Sequence, residues 1–163
     1  MGMGMYFLQV SKEQLEAIEE DEDMFYEISN SDEADEISFG FDSEFSAVNF
    51  LLNDDAFSND KAESPNYLDA EWLMDIGEFY LDVSDVKYLA KAFKKFKEDD
   101  LRRRFLSDAF KSALSSNGDD KIYRGENFGD EDYFKRLWSC VNALSNYFIE
   151  AHKLKKGMLF WYV

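Results

Sequence analysis

Apolar and polar positions along the last third of the chain repeat with the period of a helix. Apolar side chains recur at steps of three and four residues, as on one helix face; they are Phe134, Leu137, Trp138, Val141, Leu144, Phe148 and Ala151. Acidic residues precede this run and basic residues close it, which suits the helix dipole at both ends. The pattern predicts a long helix over residues 130–156, stopped by Gly157 in a left-handed conformation, and a buried strand over 158–163.

The start of the chain carries another strand and a capped helix. Residues 5–10 form a compact apolar run, which is typical of a buried strand. Ser11 and Gln14 have the spacing of a capping box, so a helix is predicted to follow as far as about Glu20. The acidic segment 19–23 interrupts the helical pattern, and the polar segment 29–36 is predicted to be a mobile loop.

The middle of the chain alternates between short strands and helices. Strands are expected at 37–41 and 78–81, and helices around 45–52 and over 67–76, with a surface loop at 53–65. Asp82 is placed to cap a further helix, whose exterior carries Lys87, Lys91, Lys94, Lys95 and Lys97. Shorter helices are predicted to start at Asp99 or Asp100 and after Ser107, and residues 122–123 are predicted to form an edge strand.

Taken together, these elements predict an α+β fold. Residues 1–163 are expected to form a single domain in which several helices pack on a small sheet that includes the N- and C-terminal strands. A chain of 163 residues with 45% hydrophobic content can bury a sizeable core, and 16 Phe, 9 Tyr and 3 Trp supply large rings for it.

Composition also limits the cellular compartments and the cofactors that are expected for this protein. The single cysteine, Cys140, excludes an intramolecular disulfide, and no Cys/His cluster suits zinc. Neither a signal peptide nor an apolar run of about 20 residues is evident. A cytoplasmic protein without metal or cofactor is therefore expected.

Negative charge is concentrated in the first half of the chain. Residues 1–80 hold 22 Asp/Glu and two lysines, whereas residues 81–163 hold 13 Asp/Glu and 16 Lys/Arg, for a net charge of −17 overall. Such a field disfavours nucleic acids and anionic membranes and attracts a basic protein partner. The candidate docking residues are Glu19, Glu20, Asp21, Glu22 and Asp23. The alternative is that the acidic residues only maintain solubility.

Candidate catalytic chemistry is sparse. No nucleophile elbow, P-loop, dinucleotide fingerprint or EF-hand occurs. His152 is expected to interact favourably with the helix dipole at the C-terminal end of the long helix. Cys140 is expected to be a packed side chain rather than a nucleophile. The basic residues between 87 and 104, including the triplet 102–104, suggest either a docking site for an acidic partner or phosphate, or a solvated helix face.

Several short motifs, in this order, resemble the YfbM-like family of uncharacterised bacterial proteins. They are the Met-Gly-Met start, Phe41-Asp42-x-x-Phe45, Asn49-Phe50-Leu51-Leu52, Tyr80-Leu81 before Val86, Arg104-Phe105, Ile122-Tyr123 and the closing helix, glycine and strand. The chain departs from the family where Phe45 and Asn49 replace a tryptophan and a histidine and where Arg124 replaces a proline. The resemblance implies an α+β fold and brings no catalytic residues with it.

Two classes of function remain open from the sequence. The first is a non-enzymatic, acidic protein-binding module, for which a toxin-neutralising, immunity-like role is one use. The second is a small-molecule-binding protein or weakly active enzyme with an aromatic pocket that involves Trp72, Tyr80 and Trp161. A cleft that collects aromatic rings and carboxylates would favour the second class, and a flat acidic face the first. The sequence does not distinguish these two classes from a purely structural role, and it does not indicate the oligomeric state.

Overall fold

The computed structural model describes residues 4–37, 39–41, 44–53, 79–114, 122 and 126–162. These residues form four strands and eight helices. The strands are β1 (Met5–Val10), β2 (Phe39–Phe41), β3 (Phe79–Leu81) and β4 (Gly157–Tyr162). The helices are α1 (Lys12–Glu20), α2 (Asp23–Ser29), α3 (Asp32–Ile37), α4 (Phe45–Asn53), α5 (Val83–Lys95), α6 (Glu98–Phe105), α7 (Asp108–Leu114) and α8 (Glu131–Lys153).

The two ends of the chain meet in the middle of the sheet. The strand order is β2-β1-β4-β3, and every neighbouring pair is antiparallel. β1 and β4 pair along their full length, from Met5 opposite Tyr162 to Val10 opposite Gly157. The predicted α+β fold, with a small sheet that includes both terminal strands, is confirmed.

The sheet separates two hydrophobic cores, because successive side chains of a strand point to opposite faces. One face carries Met5, Phe7 and Phe160 into a large core with α4–α8. The other face carries Leu8 and Leu159 into a smaller core with α1–α3. The charge asymmetry of the sequence therefore becomes a difference between two layers: residues 12–37, which form α1–α3 and the turns between them, contain twelve acidic residues and one lysine, whereas α4–α8 hold more basic than acidic residues.

Capping side chains begin the helices where the sequence predicts. Ser11 Oγ accepts from the Gln14 N–H at 3.1 Å, and Gln14 Oε1 accepts in return from the Ser11 N–H at 2.8 Å. Asp130 Oδ1 accepts from the Tyr133 N–H at 2.7 Å at the start of α8. These bonds satisfy donors that have no partner within the first helical turn.

The end of α8 differs from the expectation. Lys155, with φ 53°, adopts the left-handed conformation that was predicted for Gly157. The N–H groups of Lys155 and Lys156 donate to the carbonyls of His152 and Ala151 at 3.0 and 2.9 Å, which is the Schellman arrangement. Gly157 instead begins β4, where a Cβ would lie 2.4 Å from Leu15 Cδ1 and 2.6 Å from the Leu81 carbonyl oxygen. Glycine is needed here for close approach between elements.

The predicted loop at 29–36 is wrong, because α2 ends at Ser29 and α3 covers much of the segment. Ser31 Oγ accepts from the Ala34 N–H at 3.1 Å and begins α3, and Ala34 is buried. The edge strand predicted at 122–123 is not found at Ile122, which is a buried bend. The helix predicted over 67–76 and the loop at 53–65, beyond the last residue of α4, lie outside the described residues.

Candidate functional site

The acidic layer, defined as α1–α3 and the turns between them, presents the five candidate docking residues at one surface. Glu19 and Glu20 end α1, Asp21 and Glu22 form the turn, and Asp23 begins α2; all five are exposed. Asp21 also has a local structural role, because its Oδ1 accepts from the Asp23 N–H at 3.0 Å. The structure therefore gathers these carboxylates at the junction of two helices.

A cavity of about 320 Å³ lies beside this junction. Its lining combines carboxylates, aromatic rings and an aliphatic side chain: Ile18, Glu19, Glu22, Phe25, Tyr26 and Tyr80. The side chains of Ile18 and Phe25 are buried in the smaller core, whereas Tyr26 and Tyr80 are about half exposed. The lining has an apolar inner part and a polar, negatively charged mouth. We call this cavity the acidic pocket.

Strand β3 supplies Tyr80 to the acidic pocket. Tyr80 lies opposite Leu159 in the sheet, and Leu159 points into the smaller core. Because cross-strand partners share a face, Tyr80 is on the side of the sheet that the acidic layer covers. This register brings together a predicted pocket aromatic and two predicted docking residues, which are about 60 residues apart in sequence.

The other two predicted pocket aromatics are not part of this site. Trp161 shares the sheet face with Leu159, but it is not among the residues that line the acidic pocket. Its ring stacks on Tyr6 with centroids 6.2 Å apart and an interplanar angle of 19°, and it packs on the smaller core. Trp72 lies outside the described residues.

Little positive charge lies close to the pocket mouth in the sequence. Lys12 is the single basic residue of residues 4–37, and its Nζ lies 4.0 Å from Glu16 Oε1. In the part of the chain that the structure describes, no lysine or arginine forms an ion pair with Glu19 or Glu22. Among the described residues, the two carboxylates at the pocket mouth are thus not neutralised by an ion pair.

The basic segment, residues 87–104, lies on the other side of the sheet, and only part of it is exposed to solvent. The five lysines of α5 and its end are exposed, as predicted. The prediction that the arginine triplet continues this surface is wrong for Arg104, whose side chain is 1% exposed. Arg104 Nη1 donates to the carbonyl oxygens of Leu51 and Leu52 at 2.6 and 3.4 Å, so this arginine closes the C-terminal end of α4.

Arg102 shows how this protein holds a guanidinium group. Its Nη1 and Nη2 each donate to a carboxylate oxygen of Glu131 at 2.8 Å. The guanidinium carbon also lies 3.9 Å from the centroid of the Phe134 ring. A bidentate carboxylate and an aromatic face, three residues apart on the first turn of α8, therefore bind one arginine.

The remaining candidates, Cys140 and His152, lie on α8 and do not line the acidic pocket. Burial, with a smaller effect from Glu44, raises the pKa of the Cys140 thiol to about 11, which favours the neutral thiol. His152 lies in the last turn of α8. Within the described residues, no three His, Cys, Asp or Glu side chains are grouped as a metal site. Among the described helices, none has the length and apolar character needed to cross a bilayer.

Sequence reasoning missed three lining residues of the pocket: Ile18, Phe25 and Tyr26. A local signal was present, since apolar Ile18 and Phe25 flank the acidic run at 19–23. Because apolar residues flank the acidic run on both sides, its carboxylates lie beside buried side chains at the turn between α1 and α2. The contribution of Tyr80 could be found only from the pairing of β3 with β4.

Comparison with known proteins supports the fold and the family and gives no activity. No curated protein matches the chain. The crystal structure of YfbM from Escherichia coli, a protein of unknown function, is similar with a TM-score of 0.66 and 14% identity, and the match covers 100% of both chains. A family model for a domain of unknown function, DUF1877, matches residues 1–161. The chain therefore belongs to the DUF1877 family.

Proposed function

We propose that this protein is a non-enzymatic, cytoplasmic binding protein whose acidic layer recognises a basic protein partner. The observation that carries the proposal is the placement of the exposed carboxylates of residues 19–23 at one helix junction. Like charges this close raise one another's energy, so the cluster adds little to stability and is better suited to attracting a partner. An immunity-like role, in which a basic toxin is the partner, is one form of this function.

The proposal is for binding rather than catalysis. The thiol of Cys140, with its pKa raised to about 11, is protonated at neutral pH and is a poor nucleophile. The lone histidine, His152, lies in the last turn of α8, at least 129 residues along the chain from the acidic run at 19–23. Neither residue lines the acidic pocket.

A second candidate function has its own observation. The acidic pocket collects aromatic rings and carboxylates in one cleft, and this arrangement favours a small ligand over a flat protein–protein surface. A small organic cation would suit such a site. We rank this candidate second because the mouth of the pocket opens onto the acidic surface, so the same side chains also serve a protein partner.

Association kinetics test the first candidate. A basic protein captured from the source cell would be bound to the wild-type chain and to the surface variant Glu20→Gln/Asp21→Asn/Asp23→Asn. The asparagine at 21 keeps an oxygen for the Asp23 N–H. We expect the variant to associate more slowly at low salt, because charged surface residues act mainly on the on-rate. Its melting temperature should be unchanged or higher.

The matched control is Asp99→Asn/Asp108→Asn/Asp132→Asn, which removes the same charge from exposed positions on α6, α7 and α8. It should associate at close to the wild-type rate. Raising the salt should weaken the wild-type complex more than that of the surface variant, because the screening length falls to about 3 Å at 1 M. Equal on-rates for the wild type and the surface variant at low salt would refute the proposal.

A further inference from the structure

We infer that the acidic pocket is the subsite for one arginine side chain of the basic partner. The inference rests on the proposed function and makes it more specific. The pocket offers two carboxylates at its mouth, Glu19 and Glu22, beside the rings of Tyr26 and Tyr80. Carboxylates bind a planar guanidinium in bidentate fashion, and aromatic faces attract it through the ring quadrupole.

The internal site of Arg102 supplies the pattern for this assignment. There the guanidinium binds Glu131 and lies over the ring of Phe134, three residues further along the first turn of α8. Glu22 and Phe25 repeat this spacing at the start of α2. Glu131 lies inside the first turn of α8, whereas Glu22 is the residue that directly precedes α2; its backbone dihedral angles are helical, so it stands one turn before Phe25.

The two sites differ in where a guanidinium can come from. Residues 1–80 contain no arginine, and each arginine with a described side chain is engaged elsewhere: Arg102 by Glu131, Arg103 by Asp100, Arg104 by the end of α4, and Arg136 by Glu126. None of these four is paired with Glu22. Within the described part of the chain, no arginine therefore occupies the acidic pocket, and the guanidinium that we infer there belongs to the partner.

The size of the pocket suits a side chain. Its volume of about 320 Å³ is at the lower end of the roughly 300–1,000 Å³ found for small-molecule sites. The half-exposed Tyr26 and Tyr80 leave the mouth open to the protein surface. An arginine can thus insert its guanidinium while its main chain stays on the partner's surface. Arginine fits better than lysine, because its planar group stacks on rings and is more weakly hydrated.

Titration of the full chain with single amino-acid amides tests the inference. The probes are Nα-acetyl-arginine amide, the neutral isostere Nα-acetyl-citrulline amide and Nα-acetyl-lysine amide, followed by amide chemical shifts in NMR spectra. We expect the arginine probe to shift the amides of residues 18–26 and 79–81. The citrulline probe should leave them in place, and the lysine probe should bind more weakly.

Two variants with equal charge separate the pocket from the general field. The pocket variant Glu19→Gln/Glu22→Gln should bind the arginine probe about threefold to tenfold more weakly than the wild type. The matched variant Glu20→Gln/Asp23→Asn removes the same charge from exposed positions outside the lining and should keep most of the affinity. All four positions are exposed, so both variants should fold, which thermal melts would check.

The outcomes distinguish this inference from the proposed function. Equal weakening in the two variants, or shifts spread over the whole acidic layer, would mean long-range attraction only and would overturn the subsite. Tighter binding of putrescine or spermidine than of the arginine probe would overturn it in favour of a free small cation. Failure of the proposed function would appear instead in the partner's on-rates, which the probe titration does not measure.

Discussion

The hydroxyl group of Tyr147 accepts the main-chain hydrogen bond of Gln9 that a neighbouring strand would otherwise accept. The Gln9 N–H donates to Tyr147 Oη at 3.0 Å, and the same hydroxyl donates to the Phe7 carbonyl at 3.4 Å. Within the described residues, β2 pairs with β1 only over Met5–Phe7, so Gln9 lies beyond the last paired position. The Gln9 side chain adds bonds to the Tyr147 carbonyl at 3.2 Å and to Glu150 at 3.3 Å, which join α8 to the sheet.

Removal of this hydroxyl should destabilise the fold. In Tyr147→Phe the N–H of the buried residue Gln9 loses its acceptor, and the free energy of unfolding should fall by about 1–3 kcal/mol. Urea unfolding followed by circular dichroism measures the change. Tyr88→Phe is the control, since Tyr88 is 64% exposed and should tolerate the loss of its hydroxyl. Equal stability of the two variants would contradict the role given to Tyr147.

Arg104→Lys should be costly despite keeping the charge. A lysine ammonium cannot reproduce the bonds that Nη1 makes to the carbonyls of Leu51 and Leu52, and it would be buried with poorer pairing. We expect the free energy of unfolding to drop by more than about 2 kcal/mol. Arg103→Lys, at an exposed position of the same helix, should change it by less than about 0.5 kcal/mol. A similar small effect at both positions would argue against a capping role for Arg104.

Lys155→Gly should stabilise the protein. Lys155 has a φ of 53°, a conformation that costs most residues about 1–2 kcal/mol and glycine nothing. The expected gain is about 1 kcal/mol once the greater flexibility of glycine in the unfolded chain is counted. Lys153→Gly lies inside the last turn of α8 and should instead lose about 1 kcal/mol. Thermal melts of both variants would test the opposite signs.

Thiol reactivity provides a pH test. An ordinary pKa near 9 raised to about 11 at Cys140 means that the folded protein holds roughly a hundredfold less thiolate near pH 8 than the unfolded chain does. Modification by a disulfide reagent should therefore be slower in buffer than in urea by about that factor. Because the folded pKa is the higher one, this thiol's contribution to stability is complete below about pH 9 and is lost as the pH rises towards 11. Equal rates in buffer and urea would contradict burial of the thiol.

Deletion of residues 158–163 should abolish folding. Strand β4 lies between β1 and β3, and Met158, Leu159 and Phe160 are buried on both faces of the sheet. Burial of each of these side chains contributes about 1.5–3 kcal/mol, against a total stability of about 5–15 kcal/mol. The truncated chain should be insoluble or unfold without cooperativity. A cooperative melt at the midpoint of the full chain would refute this expectation.

Local patterns in the sequence determined most of the elements. The period of the apolar residues in α8 and α5, and the capping side chains Ser11 and Asp130, act between residues three or four apart, so a single segment contains the whole signal. The segment at 29–36 was missed because α3 is short and buries only a small residue, Ala34, among those whose burial is described. Its signal of helix formation is correspondingly weak.

Tertiary structure decided the rest, because the decisive contacts join residues that are distant in sequence. Arg104 stands in a basic triplet, and only the packing of α6 against the end of α4 buries it. The sequence predicted that Gly157 ends α8. The close approach of Leu15 and Leu81 instead requires a glycine at this position of the strand, and Lys155 adopts the left-handed conformation that ends the helix. The acidic pocket likewise depends on the strand order, which brings Tyr80 to Glu19 and Glu22; no local pattern encodes that order, because it reflects the burial of both sheet faces at once.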